Sequence, residues 1–535
     1  MSLQVKYMDV PEGAQERTAI ASVYGQSFSV IQQLVDGVAD IPWATLESGS
    51  WKLDGSQKLL PTSPQQMGWW SEEVSDGDGS FRDPPVIRVT FPVTYTATGL
   101  TFRFSPSTGQ WCSRVDVVWY RGEEVLDQAT TCPTAADWVF YHPVEKFDRV
   151  EICLQQTNIP GQFAKLQQLQ IGRVMMFMGN ELVKVRLLRE ADPSLSSLTV
   201  DTMTVDLLDR KGRVLQPQKD QVVHLYRDGV LLATQYITDA QRQSRQNYRL
   251  RCQSAVGRLE DTFLGGVYTE YPLEQLLPEV LGEFPFGVDA AFAGKTVTGY
   301  LPVCTRRQAL QQIAFALGAA VTTRGDGSIW LMPPEETVSG GFVAGRIFTG
   351  GTLKQEMPVA AVELLVHSYV PGDEEKVLLK ETVVTGEDVL FLFSEPYYDY
   401  QITGGRIIGS GANWIRITGY GPVTLTAKKY RHTAFVRRKE NPRAMEKGVV
   451  VTVEKATLIH YENAYWALQR LYNYHAMRDL LTQEVAVAGE YAGQVVDSLS
   501  PWGGRVTGYI TGMESTFTET GHRANIQIRG REVPV

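Results

Sequence analysis

The sequence predicts a mainly β protein with a minor α+β part, and three observations point there. Short runs of alternating or β-branched residues recur along most of the chain, separated by clusters of Gly, Pro, Asp and Ser. Clear helical spacing of apolar residues is confined to Arg306–Leu317 and Ala464–Leu481, with a shorter candidate at Leu273–Leu281. No fixed-period repeat is visible, which sets aside solenoids and propellers. At 535 residues the chain exceeds the roughly 250–300 residues at which a single core stops growing, so several domains are expected.

Composition narrows the function classes. Apolar residues make up 43% and charged residues 21%, an ordinary globular balance far from disorder. A formal charge of −9 argues against a general nucleic-acid binder. The five cysteines (112, 132, 153, 252 and 304) are odd in number and lack CxxC spacing, so reduced thiols fit better than a disulfide scaffold or a zinc site. No charged-then-apolar leader opens the chain and no apolar run approaches ~18 residues. The expectation is a chain with no membrane-spanning segment, carried outside a cell, if at all, by something other than a signal peptide.

Taken in order, residues 1–45 form an N-terminal segment, with Phe28–Val38 as a short ordered stretch. Residues 46–172 read as one β-sandwich. Six of the eleven tryptophans fall between positions 51 and 138, among the runs Val86–Phe91, Gly99–Phe104, Val115–Tyr120, Val139–Tyr141, Arg149–Leu154 and Leu166–Ile171. Residues 173–260 are strand-rich again, and Arg227-Asp228-Gly229 marks a hairpin turn. Residues 261–345 form a helix–hairpin α+β unit. Pro278 is expected to kink the helix around Leu273–Leu281 or confine it to a first turn. In Cys304–Leu331, Thr305 caps a helix and Gln308 completes a capping box. Ala309, Leu310, Ile313, Ala314 and Leu317 share a face, Gly318 stops the helix, and two strands flank Arg324–Gly327. Residues 346–535 return to strands, with a long hairpin arm and a helix at 464–481 whose stripe includes Trp466, Ala467, Leu471, Tyr474 and Leu481.

The wording of Thr305–Ala319, followed by an Asp-Gly turn and an apolar strand, resembles the tail-hub (baseplate-hub) proteins of phages and prophages of Gram-positive bacteria. Ala44-Thr45-Leu46-Glu47, Trp51–Ser56, Gly68-Trp69-Trp70-Ser71, Asp78–Phe81, Pro84-Pro85 and Gly99–Phe102 extend the likeness, as do Asn463–Arg478 and Gly508–Gly530. No one of these motifs is specific, but their order over most of the chain is. The resemblance implies two tail-tube-like β-barrel domains, residues 173–260 and 346–535, and an inserted galactose-binding-like jelly roll at 46–172. It further implies a non-catalytic homotrimer at the virion tail tip, assembled in the host cytoplasm. Its partners would be a distal tail or tail-tube protein, the tape measure protein and tip or receptor-binding proteins.

Candidate sites follow from residue chemistry. Trp69, Trp70 and Trp111 lie beside Gly/Ser-rich loops, and exposed indoles there would suit host cell-wall carbohydrate; the alternative is that they fill the sandwich core. Lys428, Lys429, Arg431, Arg437, Arg438 and Lys439 lie in a stretch to Lys447 with eight Lys/Arg against two Glu. They would face a DNA-conducting lumen or an acidic partner, or else form a solvated two-stranded arm. Asp76, Asp78 and Asp83 suit a hard cation or, more simply, a solvated turn. Cys304 precedes a helix, where a thiolate would be stabilised and His367 or His475 would be the histidines to approach it; the alternative, which the absence of a partner motif favours, is a buried, unreactive thiol. No recognisable metal, phosphate-loop or nucleophile-elbow spacing appears, so no cofactor is expected. The readings from other classes are a cell-wall hydrolase and a free-standing glycan-binding adhesin.

Overall fold

The computed structural model describes residues 2–9, 19–23, 41–45, 47, 51–52, 54–58, 67–210, 215, 217–442, 444, 448–518 and 521–533. The expected segment Phe28–Val38 lies outside the described residues, as do Arg443 and Lys447 of the basic stretch. The fold is mainly β, with three α-helices among the described residues: α1 (Leu273–Leu281), α2 (Arg306–Leu317) and α3 (Ala464–His475).

The organising element is a 13-stranded sheet. Its first seven strands run in the order Arg173–Met178, Leu3–Asp9, Val222–Arg227, Val230–Arg242, Asn247–Gln253, Thr202–Leu208 and Leu182–Glu190. The path continues through Arg505–Thr518, Gly521–Val533, Asp479–Ala486 and Thr352–Gln355. Leu3–Asp9 shows why the N-terminus belongs here: its burial alternates, with Leu3, Val5 and Tyr7 pointing into the core. The sheet carries two separate cores. One gathers Val5, Tyr7, Phe177, Val185, Val205 and Leu225; the other gathers Phe342, Leu481, Val496, Ile510 and Ile528. They meet where Leu182–Glu190 pairs with Arg505–Thr518, and Phe517 crosses into the first core. The two expected barrels are therefore not closed barrels: their strands form one open path, because these two strands pair with each other instead of closing their own cores.

The sandwich is a six-stranded sheet, centred on Val86–Arg103 and Asp137–Thr157, that shares a core with the pair Trp69–Val74 and Phe163–Leu166. Ala19–Val23 joins its edge, so the sandwich draws on chain upstream of position 46. Gly99 lets the long strand bend against its neighbour. Its φ is +155°, and a Cβ there would sit 1.9 Å from the Phe140 carbonyl oxygen.

The helix–hairpin unit forms as its sequence dictates. Thr305 accepts from the Gln308 N–H, Gln308 reciprocates, and Gly318 ends α2 in the left-handed region at φ +74°. Pro278 does not limit α1 to its first turn, and the helix continues to Leu281. Burial of Leu273, Leu276, Leu277, Val280 and Leu281 against α2 outweighs the single backbone hydrogen bond that proline forfeits. Phe286–Val288 adds a parallel third strand beside the hairpin.

The arm is built from Val359–Leu392 and Trp414–Glu440, paired from Ala361↔Glu440 to Leu392↔Trp414 with four register shifts on the way. It is five-stranded rather than two-stranded, with Tyr397–Thr403, Arg406–Ser410 and Val449–Val453 added. It also curls. Tyr397 pairs with Lys429 while its N–H donates to the Ala412 carbonyl, positions that a straight strand would hold roughly 55 Å apart. The curl encloses a small core of Val384, Ile415, Ile417, Val423 and Leu425.

Finally, α3 ends at His475 and the chain turns into the strand Asp479–Ala486, so the expected helix to 481 is shorter. Leu481 is buried from that strand, in the second core. Trp466 does not belong to the buried stripe either. Ala464, Ala467, Leu468 and Leu471 face the core, and Trp466 is 70% exposed.

Candidate functional site

The three tryptophans offered for carbohydrate are not equivalent. Trp69 is fully buried in the sandwich core and Trp70 is 5% exposed, so neither presents an indole face to solvent. Trp70 donates its ring N–H to the Met67 carbonyl at 2.8 Å, and the Lys165 ammonium lies 4.4 Å from its ring centre. Trp111 is half-buried beside the same core.

Lys165 belongs to a buried polar cluster that composition alone did not reveal. Its ammonium meets the Glu47 carboxylate at 2.5 Å and the Gln110 amide oxygen at 2.8 Å. Glu47 also accepts from the Phe163 N–H at 2.7 Å. Burial pushes the Lys165 ammonium below its usual range, while Glu47 opposes that shift. Glu47 closes the phrase Ala44–Glu47, so part of that recurring wording pins the entering chain to the sandwich.

A second buried network clamps the sandwich to the first sheet core. Asp9 Oδ2 pairs with Arg173 Nη2 at 2.9 Å, both side chains being almost wholly buried. Thr98, from the sandwich strand Val86–Arg103, donates to Asp9 Oδ2 and accepts from Arg173 Nε at 2.9 Å. Gln221 donates to Asp9 Oδ1 at 2.5 Å and accepts from the Tyr7 hydroxyl at 2.6 Å. The Arg173 guanidinium also lies 4.7 Å over the Tyr141 ring of the sandwich. Every oxygen and most donors are used, which is the condition under which a buried ion pair holds a geometry. The sandwich is thus tied to the first core by fixed side chains.

The six basic residues do not form a free cationic strip. Lys428 pairs with Asp399 at 2.8 Å, Lys429 with Glu395 at 2.6 Å and Arg438 with Glu363 at 2.7 Å. Lys439 donates to Gln469 of α3 and lies 4.7 Å over Tyr472. Arg437 stacks 4.8 Å over Tyr461, and Arg431 is exposed. Three of the six are thus paired with carboxylates of the arm's own sheet or its root, while Lys439, Arg437 and Arg431 keep their charge.

At the arm's root, aromatic rings stack from Tyr300 through Tyr369 to His432 and His367. His367 Nε2 faces the Glu454 carbonyl at 3.0 Å and so carries hydrogen, leaving Nδ1 to accept from His432 Nε2 at 3.0 Å. Burial lowers both histidines, which keeps the pair neutral. His367 is therefore committed here and not to Cys304. Burial pushes the Cys304 thiol up to about 11, the reverse of thiolate activation. His475 is half-buried near Arg529, in another core region. Asp78 turns back onto Ser80, accepting from its N–H at 2.9 Å, as a solvated turn does. Among the described residues no group of three or more His, Cys, Asp or Glu converges as a metal site would require.

No family model and no curated protein matches the chain. Among solved structures, a 43 kDa tail protein of a Shewanella oneidensis prophage is similar at 9% identity and a TM-score of 0.41, over 66% of this chain and 95% of that one. A prophage tail protein from Listeria monocytogenes is similar at 9% identity and a TM-score of 0.39, over 67% and 92%. A family 32 carbohydrate-binding module from C. perfringens, solved with galactose, is similar at 11% identity and a TM-score of 0.20, over 32% of this chain and 99% of the module.

Proposed function

We propose that the chain is a structural subunit of the tail of a phage or phage-like particle of Gram-positive bacteria, assembled as a homotrimeric hub at the tail's distal end. The observation that carries this reading is the ordered run of hub-like motifs from Ala44 to Gly530. It is supported by two β cores set side by side on one sheet, since three copies would offer six such cores to a six-fold tube. In this role the protein acts through shape and contact. The tail-tube and tape measure proteins would lie above it and the tip or receptor-binding proteins below.

An exposed aromatic face supports contact between copies. Tyr461, Tyr465 and Trp466 are 70%, 56% and 70% exposed, and Phe435 of the arm, on the side of its strand that Arg437 shares, is exposed as well. Arg437, between the arm and Tyr461, makes the surface continuous. Such aromatics are what subunit interfaces bury. The insert, clamped at Asp9–Arg173, would project outward as a rigid body. Trp111 is the remaining candidate of the three tryptophans for cell-wall carbohydrate.

Solution mass tests the reading. The purified protein should weigh about 180 kDa, three times the 59.7 kDa chain, and Trp466→Glu should return it to the monomer. A monomer that stays a monomer with a tail-tube partner would refute the hub.

A further inference from the structure

Between the first core, the helix–hairpin unit and the second core lies a cleft of about 330 Å³, the size range of a binding pocket. One wall is the strand Ala320–Thr323. That strand is a sheet edge: among the described residues it pairs only with Ile329–Met332. The Arg324 N–H bonds to the Ser328 carbonyl at 3.0 Å, which fixes the phase of the ladder. Thr322 and Ala320 therefore bond inward to the hairpin partner, and the N–H and C=O groups of Val321 and Thr323 point outward, along the cleft.

Exposed edges are usually blunted with proline, lysine or a bulge. This one reads Ala-Val-Thr-Thr, three of its four residues β-branched, with no such device. The edge is also held in place. Thr234 donates to the Gly325 carbonyl at 2.8 Å, and a Cβ on Gly325 would lie 2.5 Å from the Leu231 carbonyl oxygen, so the hairpin tip is seated tightly on the first core. The groove is thus preformed, which lowers the entropic cost of filling it.

Charge identifies the occupant. The cleft is lined by the carboxylates of Glu190, Asp192, Asp201 and Glu335 against the single guanidinium of Arg189. That guanidinium is already engaged, donating to the Leu232 carbonyl at 2.7 Å and lying 3.9 Å from Asp201. Glu335 is oriented by Tyr491, Ser339 and the Val495 N–H. We propose that this cleft receives an extended segment of a partner protein as a fourth strand on Ala320–Thr323, with a lysine or arginine of that segment set against Asp201 and Glu335. Main-chain hydrogen bonds would supply affinity, and the carboxylates would select the side chain. The proposal stands independently of any ring assembly.

The test uses the full chain and two dye-labelled seven-residue peptides of alternating threonine and valine, one with a central lysine and one with a central glutamate. Fluorescence anisotropy should show saturable binding of the lysine peptide, weakened by salt, and at least about tenfold weaker binding of the glutamate peptide. Val321→Pro removes an outward N–H and should weaken the lysine peptide by about tenfold or more. Asp201→Asn, nearly isosteric, should weaken it several-fold, with an unchanged far-UV circular dichroism spectrum as the control for folding. Hydrogen exchange should slow at Val321 and Thr323 on peptide addition. Absence of saturable binding, equal affinity for both peptides, or protection confined to other segments would overturn the proposal.

Discussion

Asp9→Ala removes the carboxylate on which the junction between sandwich and first core converges. It leaves the Arg173 guanidinium buried with no counter-charge, and it strips one acceptor each from Thr98 and Gln221. Breaking one partner of a buried pair costs about 3–5 kcal/mol, most of it the desolvated charge left behind. The loss should appear at the junction. Six of the eleven tryptophans lie between positions 51 and 138, so tryptophan fluorescence in urea reports mainly the sandwich, whereas far-UV circular dichroism reports all the sheets. In the parent the two signals should fall together. In Asp9→Ala the fluorescence transition should move to lower urea and separate from the other. The double variant Asp9→Leu/Arg173→Met should recover most of the loss, because it leaves no orphan charge. A cost below about 1 kcal/mol for Asp9→Ala, or a double variant as unstable as the sum of the singles, would refute the clamp.

Three further outcomes follow from the same reasoning. Thr305→Ala should cost about 1 kcal/mol through loss of the α2 cap, and Thr305→Ser should restore most of it, read by thermal melting. Asn413, fully buried, donates to the Leu264 and Leu301 carbonyls at 3.0 and 2.8 Å. Asn413→Ala leaves both carbonyls unpaired at that contact, so the returning end of the arm should loosen at a cost of roughly 2–3 kcal/mol and gain a protease-sensitive site near Gly411. The pH dependence has a definite sign. Burial holds His367 and His432 below the ordinary value, and His224 and His522 down to about 4. The unfolded chain therefore binds more protons once pH falls below about 6.5, and stability declines from there towards about 4. Asp201, raised to about 6 by burial, opposes this, because the fold takes up its proton first. A melting temperature unchanged between pH 7 and pH 5 would contradict the histidine account.

The elements that are local in sequence were the legible ones. The Thr305–Gln308 box, the Gly318 stop and the Arg324–Gly327 turn depend on residues three or four apart, and the structure follows them closely. What sequence could not supply was pairing over distance. Arg505–Thr518 joins Leu182–Glu190 across more than three hundred positions, and nothing local to either strand says that two expected barrels will share one sheet. Pro371 lies inside Val359–Leu392, where a proline is expected to interrupt a ladder, yet a register shift between Pro371 and Glu375 absorbs it and the strand continues as one. The surroundings of the candidate site residues were illegible for a related reason. An indole beside a glycine-rich loop looks the same whether it faces solvent or core, and Trp69 faces the core. The basic stretch likewise reads as free charge until Asp399, Glu395 and Glu363 are brought opposite it. Glu47, by contrast, carried a signal in the recurring phrase around it, without the partner Lys165 that explains it.

Negative-stain electron microscopy of the purified protein, alone and with a tail-tube partner, tests the hub most directly. Three-fold rings with a central hole, lost in Trp466→Glu, are the predicted result. Separate single-chain particles under both conditions would contradict it.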